Sequence, residues 1–304
     1  MKYMLGLNAE ELDDNDIVFS MFDGVGMIRG ENLCIEKLQY FPIQEFREFV
    51  TNYLEKVSNQ FKGKPVWYRT ADLVPHQINV LDGADEKFEE KQFLIGTRGI
   101  RRNLRGKEAF LEELSCFVNA SKDNPNLGII IPFVSKVEEM EIVVNLLRNK
   151  FGYKGKIGMM LETPASIIRL DEFEKLGLDN YTVGLNDLTT LILGADREKK
   201  EFYSMKDKAV KDMVKYATDK VHSFGKEITV AGYLDQDVVD YCEQLGVDNC
   251  NIHYDLIPEV FKNIPNPEKF PIQYRTMKDR YNRKKKESQR KIETKGDKEN
   301  GTER

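Results

Sequence analysis

Three arginines, two carboxylates and one amide stand at places in the 304-residue sequence where chemistry is readily built. Arg29 ends the apolar run in Asp23-Gly24-Val25-Gly26-Met27-Ile28-Arg29-Gly30-Glu31, and Arg69 ends a second in Tyr68-Arg69-Thr70-Ala71-Asp72. Arg98 lies in the glycine-flanked loop Gly96-Thr97-Arg98-Gly99. Glu162 closes a run before Thr163-Pro164, and Asn186-Asp187 close another. Carboxylates such as Glu162 and Asp187 are hard oxygen donors that suit Mg2+, which takes one or two of them and fills its octahedron with water and substrate oxygens. Guanidinium forks match phosphate and carboxylate oxygens two at a time. The Asn186 amide can donate to a phosphate oxygen. Glycines 96, 99 and 184 would let the backbone approach a ligand closely. Asp72 is left out of the set, because it could simply orient Arg69. Any one charged residue after a strand could be a surface ion pair; six polar groups at successive positions of this kind point to a shared site.

The elements that must carry these residues are short apolar runs, each followed by a helical pattern. The runs are Tyr3–Leu7, Gly24–Ile28, Val66–Arg69, Gly128–Phe133, Ile157–Leu161, Tyr181–Leu185, Glu227–Ala231 and Asn249–Ile252. Several are apolar at consecutive positions, as strands buried on both faces are. Amphipathic stretches lie between them: Ile43 to Asn59, Gly106 to Ala120, Lys136 to Lys150, and Asp207 to Phe224 with Val210, Met213, Val214 and Ala217 inward. Alternation of strands and helices predicts βαβ units. Eight such units close most simply into a (β/α)8 TIM barrel, with a doubly wound open sheet as the alternative. Barrel enzymes place their active residues at the C-terminal ends of strands, which is where the chosen residues fall.

The expected barrel spans residues 1–270. From 271 to 304 the sequence is a charged tail, expected to be helical and then disordered, because almost no apolar residue remains from about Ser288 onward. A net charge of −5 argues against a nucleic-acid partner. No apolar run approaches membrane-spanning length, and the N-terminus lacks a signal-peptide pattern. The scattered cysteines Cys34, Cys116, Cys242 and Cys250 are expected to be reduced thiols in a cytoplasmic protein.

At these residues the sequence resembles the C-terminal phosphoenolpyruvate/pyruvate-binding barrel of the PEP-utilising enzymes, the family of phosphoenolpyruvate synthase, pyruvate phosphate dikinase and enzyme I of the sugar phosphotransferase system. The resemblance runs from about Tyr3 to Phe261. Asp23 to Glu31 looks like Asp-Gly-(Ile/Val)-Gly-Leu-x-Arg-Thr-Glu, and Tyr68 to Asp72 looks like the family's arginine strand. Ile95-Gly96-Thr97-Arg98-Gly99 resembles Ile-Gly-x-Arg-Gly, and Ile131-Pro132-Phe133-Val134 resembles Met-(Ile/Val)-Pro-Phe-Val. Gly158-Met159-Met160-Leu161-Glu162-Thr163-Pro164-Ala165 is similar to Gly-x-Met-(Ile/Val)-Glu-x-Pro-(Ala/Ser). Val183-Gly184-Leu185-Asn186-Asp187-Leu188-Thr189, continued by Gly194-Ala195-Asp196-Arg197, is similar to (Ile/Val)-Gly-(Ser/Thr)-Asn-Asp-Leu-Thr. The resemblance implies that Glu162 and Asp187 hold Mg2+, while Arg29, Arg69, Arg98 and Asn186 bind phosphate, carboxylate or enolate oxygens. It also implies phosphoryl transfer between phosphoenolpyruvate and a histidine on a separate mobile domain, with metal and arginines stabilising the developing charge. Family members are often dimers through this barrel, so a homodimer is a further expectation.

Two departures, and a smaller third, qualify that expectation. The family places a cysteine after the last-but-one strand, where it exchanges a proton with the enolate carbon of pyruvate; here Ala231 holds that place in Thr229-Val230-Ala231-Gly232-Tyr233. Nothing in the sequence reads as a phosphohistidine or nucleotide-grasp domain, and His76, His222 and His253 lie outside any Gly-Gly-x-x-Ser-His motif. Gly30 also replaces the threonine of Arg-Thr-Glu. Three functions therefore remain open. The chain could be the phosphotransferase half of a split system whose phosphohistidine or ATP-binding subunit is another protein, with Tyr233, His253 or metal-bound water as acid/base. It could be a metal-dependent lyase or aldolase acting on a pyruvate-like 2-oxo acid. It could also bind phosphoenolpyruvate without turnover, as a sensor.

Overall fold

The computed structural model describes residues 1–84, 90–92, 94–272, 275–276 and 278–286. Among them, eight strands run parallel: β1 (Lys2–Leu7), β2 (Val25–Arg29), β3 (Val66–Arg69), β4 (Leu127–Ile131), β5 (Ile157–Leu161), β6 (Asn180–Gly184), β7 (Ile228–Ala231) and β8 (Asn249–His253). Each pairs with its sequence neighbour, and β8 pairs back to β1, so the sheet closes into a (β/α)8 barrel. The open-sheet alternative is thereby ruled out. β4 and β5 are buried along their whole length, as their unbroken apolar runs require.

The apolar side chains divide into two sets. The larger lies between the strands and the surrounding helices. The helix Gln44–Gln60 turns Phe46, Val50, Tyr53, Leu54 and Val57 inward at helical spacing, and it packs beside Lys107–Ser121. Asp207 caps Lys208–Ser223 by accepting from the Ala209 N–H at 2.8 Å, and Val210, Val214, Ala217 and Val221 are buried behind it. Met213, expected inward, is only half-buried. The stretch expected to be one helix over Lys136 to Lys150 is α-helical over Val137–Asn145 and widens to a π turn over Leu146–Lys150. From that turn Arg148 donates to the carbonyls of Tyr153 and Gly155, both at 2.8 Å, which ties the chain into its entry to β5.

The smaller set fills the barrel's interior: Met27, Trp67, Ile130, Met160 and Ala231. Trp67 reaches across to Gly128, where a Cβ would come within 2.5 Å of the indole. This plug is a packed floor beneath the C-terminal ends of the strands.

The four cysteines are free and buried. No helix among the described residues is long and apolar enough to cross a membrane. Residues 269–272, 275–276 and 278–286 are helical, and the last of these stretches packs on the barrel rim instead of projecting into solvent. The part of the tail expected to be disordered lies outside the described residues.

Candidate active site

Parallel closure brings the strand ends to one rim. Arg29 and Arg69 are register partners at the ends of β2 and β3, and Gly184 and Ala231 are partners at the ends of β6 and β7. Above the floor lies a cavity of about 370 Å³. Arg29, Arg69, Arg98, Glu162, Asn186, Asp187 and His253 all line it, so seven of the eight residues chosen from the sequence converge. Tyr233 is the exception. Its backbone N–H donates to Asn186 Oδ1 at 3.3 Å, but its half-exposed side chain turns away and its hydroxyl donates to Glu259 at 2.8 Å. The positive φ of Gly232 (+153°) sets that direction.

The carboxylates form one group. Oxygens of Asp72, Glu162 and Asp187 lie within 4.8 Å of one another. Arg98 spans two of these acids. Its Nε and Nη2 donate to Asp72 at 3.0 and 2.5 Å, and its Nη1 and Nη2 donate to Asp187 at 3.0 Å each. The Arg98 guanidinium also lies 4.5 Å from the centre of the Phe133 ring. Arg197 donates to Asp187 Oδ1 at 2.6 Å. Arg69 Nη1 lies 3.6 Å from Glu162 Oε1, and its Nη2 donates to Glu31 in a short hydrogen bond. Arg29 Nε donates to the same Glu31 oxygen at 2.8 Å.

Local backbone explains how Glu162 is aimed. It leaves β5 and accepts the Phe133 N–H at 2.7 Å, where Phe133 holds a φ of +56°. Gly184 lies alongside, and a Cβ there would come within 2.4 Å of Glu162 Cγ and 2.5 Å of its Oε1. Gly30 likewise leaves room for the Tyr68 hydroxyl, 2.6 Å from where its Cβ would stand. Beneath the rim, buried Glu113 accepts from Tyr68 Oη and from the Ala71 N–H, both at 2.7 Å, which fixes the turn that carries Asp72.

The electrostatics are uneven. Burial would raise Asp72, but Arg98, with Arg69 and Arg29 behind it, holds it down to about 2. Burial likewise opposes ionisation of Glu31, and Arg69 and Arg29 overcome it, so its pKa is lowered. Glu162 goes the other way: burial first, then the neighbouring Asp187 and Asp72, push it up to about 8 against the pull of Arg69 and Arg98. His253 is held down to about 3 by burial and then by Arg29 and Arg69, so its ring is neutral.

A divalent oxygen-seeking cation fits this group. Three carboxylates converge on one point, and one of them is kept from ionising first by burial and then by the other two, a repulsion that a cation between them would relieve. Glu162 and Asp187 are the pair chosen from the sequence, and Asp72 is a third donor that sequence reasoning set aside. Glu31 and Arg197 were also missed as site residues. Each follows a chosen residue within the same motif, by two and by ten positions, so the signal was spacing to a neighbour already selected. Lys278, Tyr281 and Asn282, which also line the cavity, gave no such signal.

Residues 2–268 match the family model described as PEP-utilising enzyme, PEP-binding domain. The phosphoenolpyruvate synthase of Pyrococcus furiosus is 28% identical over 264 residues, covering 81% of this chain and 32% of that protein. That of Aeropyrum pernix is 25% identical over 273 residues, covering 82% of this chain and 33% of that protein. The chain thus spans about a third of the length of these curated relatives. Among solved structures, an HpcH/HpaI aldolase from Desulfitobacterium hafniense is 12% identical with a TM-score of 0.49, covering 87% of this chain and 94% of that one.

Proposed function

The chain belongs to the PEP-utilising enzymes by its PEP-binding domain, and on that premise we propose that it binds phosphoenolpyruvate or pyruvate together with Mg2+ and exchanges a phosphoryl group with a histidine borne by another protein. The observation that carries this is the meeting, in one cavity, of three mutually close carboxylates and the arginines of β2, β3 and the loop before Gly99.

Glu162 and Asp187 would hold the cation, with Asp72 beside them. Bound there, Mg2+ supplies positive charge to the oxygens of the transferring group. Arg29 and Arg69 stand where they can fork onto carboxylate or phosphate oxygens, and Asn186 adds an amide donor. In the forward direction the bond from phosphorus to the enol oxygen breaks, a bond from phosphorus to the imidazole nitrogen forms, and the enolate oxygen is left facing the arginines. The enolate carbon must then gain a proton. Ala231 has none to give, and the Tyr233 hydroxyl is engaged with Glu259. Protonation therefore falls to water, because burial and the neighbouring arginines keep the His253 ring neutral and without an acidic proton to donate.

The same alanine favours a second function on this site. A metal-dependent lyase that cleaves a larger 2-oxo acid to pyruvate uses a cation and an arginine but needs no thiol beside the enolate carbon.

Calorimetric titration of oxalate, an enolate mimic, tests the shared premise. Binding is expected with Mg2+ and not with EDTA, and to be lost in Glu162→Gln. Metal-independent binding, or binding unchanged in the variant, would refute the site. Transfer of labelled phosphate from phosphoenolpyruvate to an added phosphohistidine carrier protein then supports the first function, and release of pyruvate from a 4-hydroxy-2-oxo acid supports the second.

A further inference from the structure

The described end of the chain crosses the mouth of the cavity. Residues 278–286 are helical, and Lys278, Tyr281 and Asn282 line the cavity from above. Spacings of three and four place these residues on one helix face. Arg280 and Lys284 tie the helix to the rim. Arg280 Nη1 donates to the Glu36 side chain at 2.6 Å and to its carbonyl at 2.9 Å, and Lys284 Nζ donates to Asp82 at 2.7 Å.

Two groups on the inner face have no partner among the described residues. The Tyr281 hydroxyl is shielded from solvent and makes no hydrogen bond among the described residues. A buried phenol ordinarily finds an acceptor or donor. The exposed Lys278 makes no ion pair among the described residues and lines a cavity that holds four carboxylates. Those carboxylates are already engaged: Glu31, Asp72 and Asp187 by arginines at hydrogen-bond distance, and Glu162 by Arg69 and the Phe133 N–H. With Lys278, five cationic side chains line the cavity against those four acids, and Mg2+ would enlarge the positive surplus. A singly charged acid leaves that surplus largely unbalanced, whereas a ligand with a second anionic group answers it.

We propose that Lys278 and Tyr281 complete the ligand site from the C-terminal helix, so that the cavity selects a 2-oxo or enol acid carrying a second anionic group, which these two residues bind at the end away from the strand arginines. This rests on the proposed function and names its substrate class. The second group is a phosphate or a carboxylate, since an ammonium and a phenol serve either.

Titrations of the full chain with Mg2+ test this, using the singly charged pyruvate, phosphoenolpyruvate and 2-oxoglutarate as probes on wild type, Lys278→Ala, Tyr281→Phe and, as a control, the exposed Arg283→Ala. Lys278→Ala should weaken phosphoenolpyruvate or 2-oxoglutarate about tenfold and Tyr281→Phe severalfold, leaving pyruvate within about twofold and Arg283→Ala like wild type. Sensitivity of phosphoenolpyruvate alone identifies a phosphate, and of 2-oxoglutarate alone a carboxylate. Equal weakening of all three probes, or no weakening, overturns the inference while leaving the site itself standing. Failure of wild type to bind any of the three overturns both.

Discussion

Arg98 and Asp187 form a two-pronged ion pair, with both terminal nitrogens of the guanidinium 3.0 Å from the two carboxylate oxygens. The two residues are separated by 89 positions in sequence and meet only because β3 and β6 end at the same rim. A cation shared by Asp187 and Glu162 competes for the oxygens that Arg98 now holds. Metal binding and release of this guanidinium toward an anionic substrate are therefore expected to be linked.

Glu162→Gln keeps the shape of the side chain and an acceptor for the Phe133 N–H while removing the charge. Mg2+-dependent oxalate binding should fall by about 30-fold or more, a loss of about 2 kcal/mol. The midpoint of thermal unfolding in EDTA at pH 8.5 should stay level or rise, since burial and the nearby Asp187 and Asp72 oppose ionisation of Glu162. A large fall in that midpoint would show that the carboxylate is structural.

Glu113 provides a pH dependence outside the metal group. Its pKa is pushed up to about 8 by burial, against hydrogen bonds from Tyr68 and Ala71 that favour the charged form. The unfolded carboxyl titrates near its ordinary value of 4.5. A raised carboxyl pKa means that the folded state keeps a proton that the unfolded state has lost. The stability it lends is full below pH 4.5 and is lost as pH rises through 8, with a slope of up to about 1.4 kcal/mol per pH unit. Urea unfolding of Glu113→Gln between pH 5 and 9 should show a flatter profile than wild type; identical slopes would remove Glu113 as the source.

Ala231→Cys places a thiol at the end of β7, facing the cavity. Exchange of the methyl protons of pyruvate with D2O, followed by proton NMR in the presence of Mg2+, should become measurably faster than in the parent. Equal rates would mean that the missing thiol does not limit proton transfer at that carbon.

Gly184→Ala introduces a methyl group where Glu162 Cγ stands only 2.4 Å away. Overpacking of this kind destabilises by about 1–3 kcal/mol. The larger effect should fall on function, as the carboxylate is displaced and oxalate affinity with Mg2+ drops. A variant that folds and binds like wild type would show that Glu162 has room to move.

The repeating order of apolar runs and amphipathic stretches determined the barrel, because strands buried on both faces must be continuously apolar and their helices must carry one apolar stripe. All eight strands fall within two residues of the expected runs. The strand-end rule then picked out Arg29, Arg69, Glu162 and Asp187 without any knowledge of which faced which. Only the tertiary structure decided the partnerships. Asp72 joins Glu162 and Asp187, Glu31 is shared by two arginines, and Arg98 bridges two acids, because closure of the barrel sets together residues far apart along the chain. Tyr233 shows the converse. Its place after β7 suggested a role in the cavity, but the backbone at Gly232 turns its side chain outward, a direction that sequence spacing does not encode. The helical part of the charged tail lies over the mouth, where Glu36 and Asp82 on the rim meet its basic side chains, a match that exists only once the rim has formed.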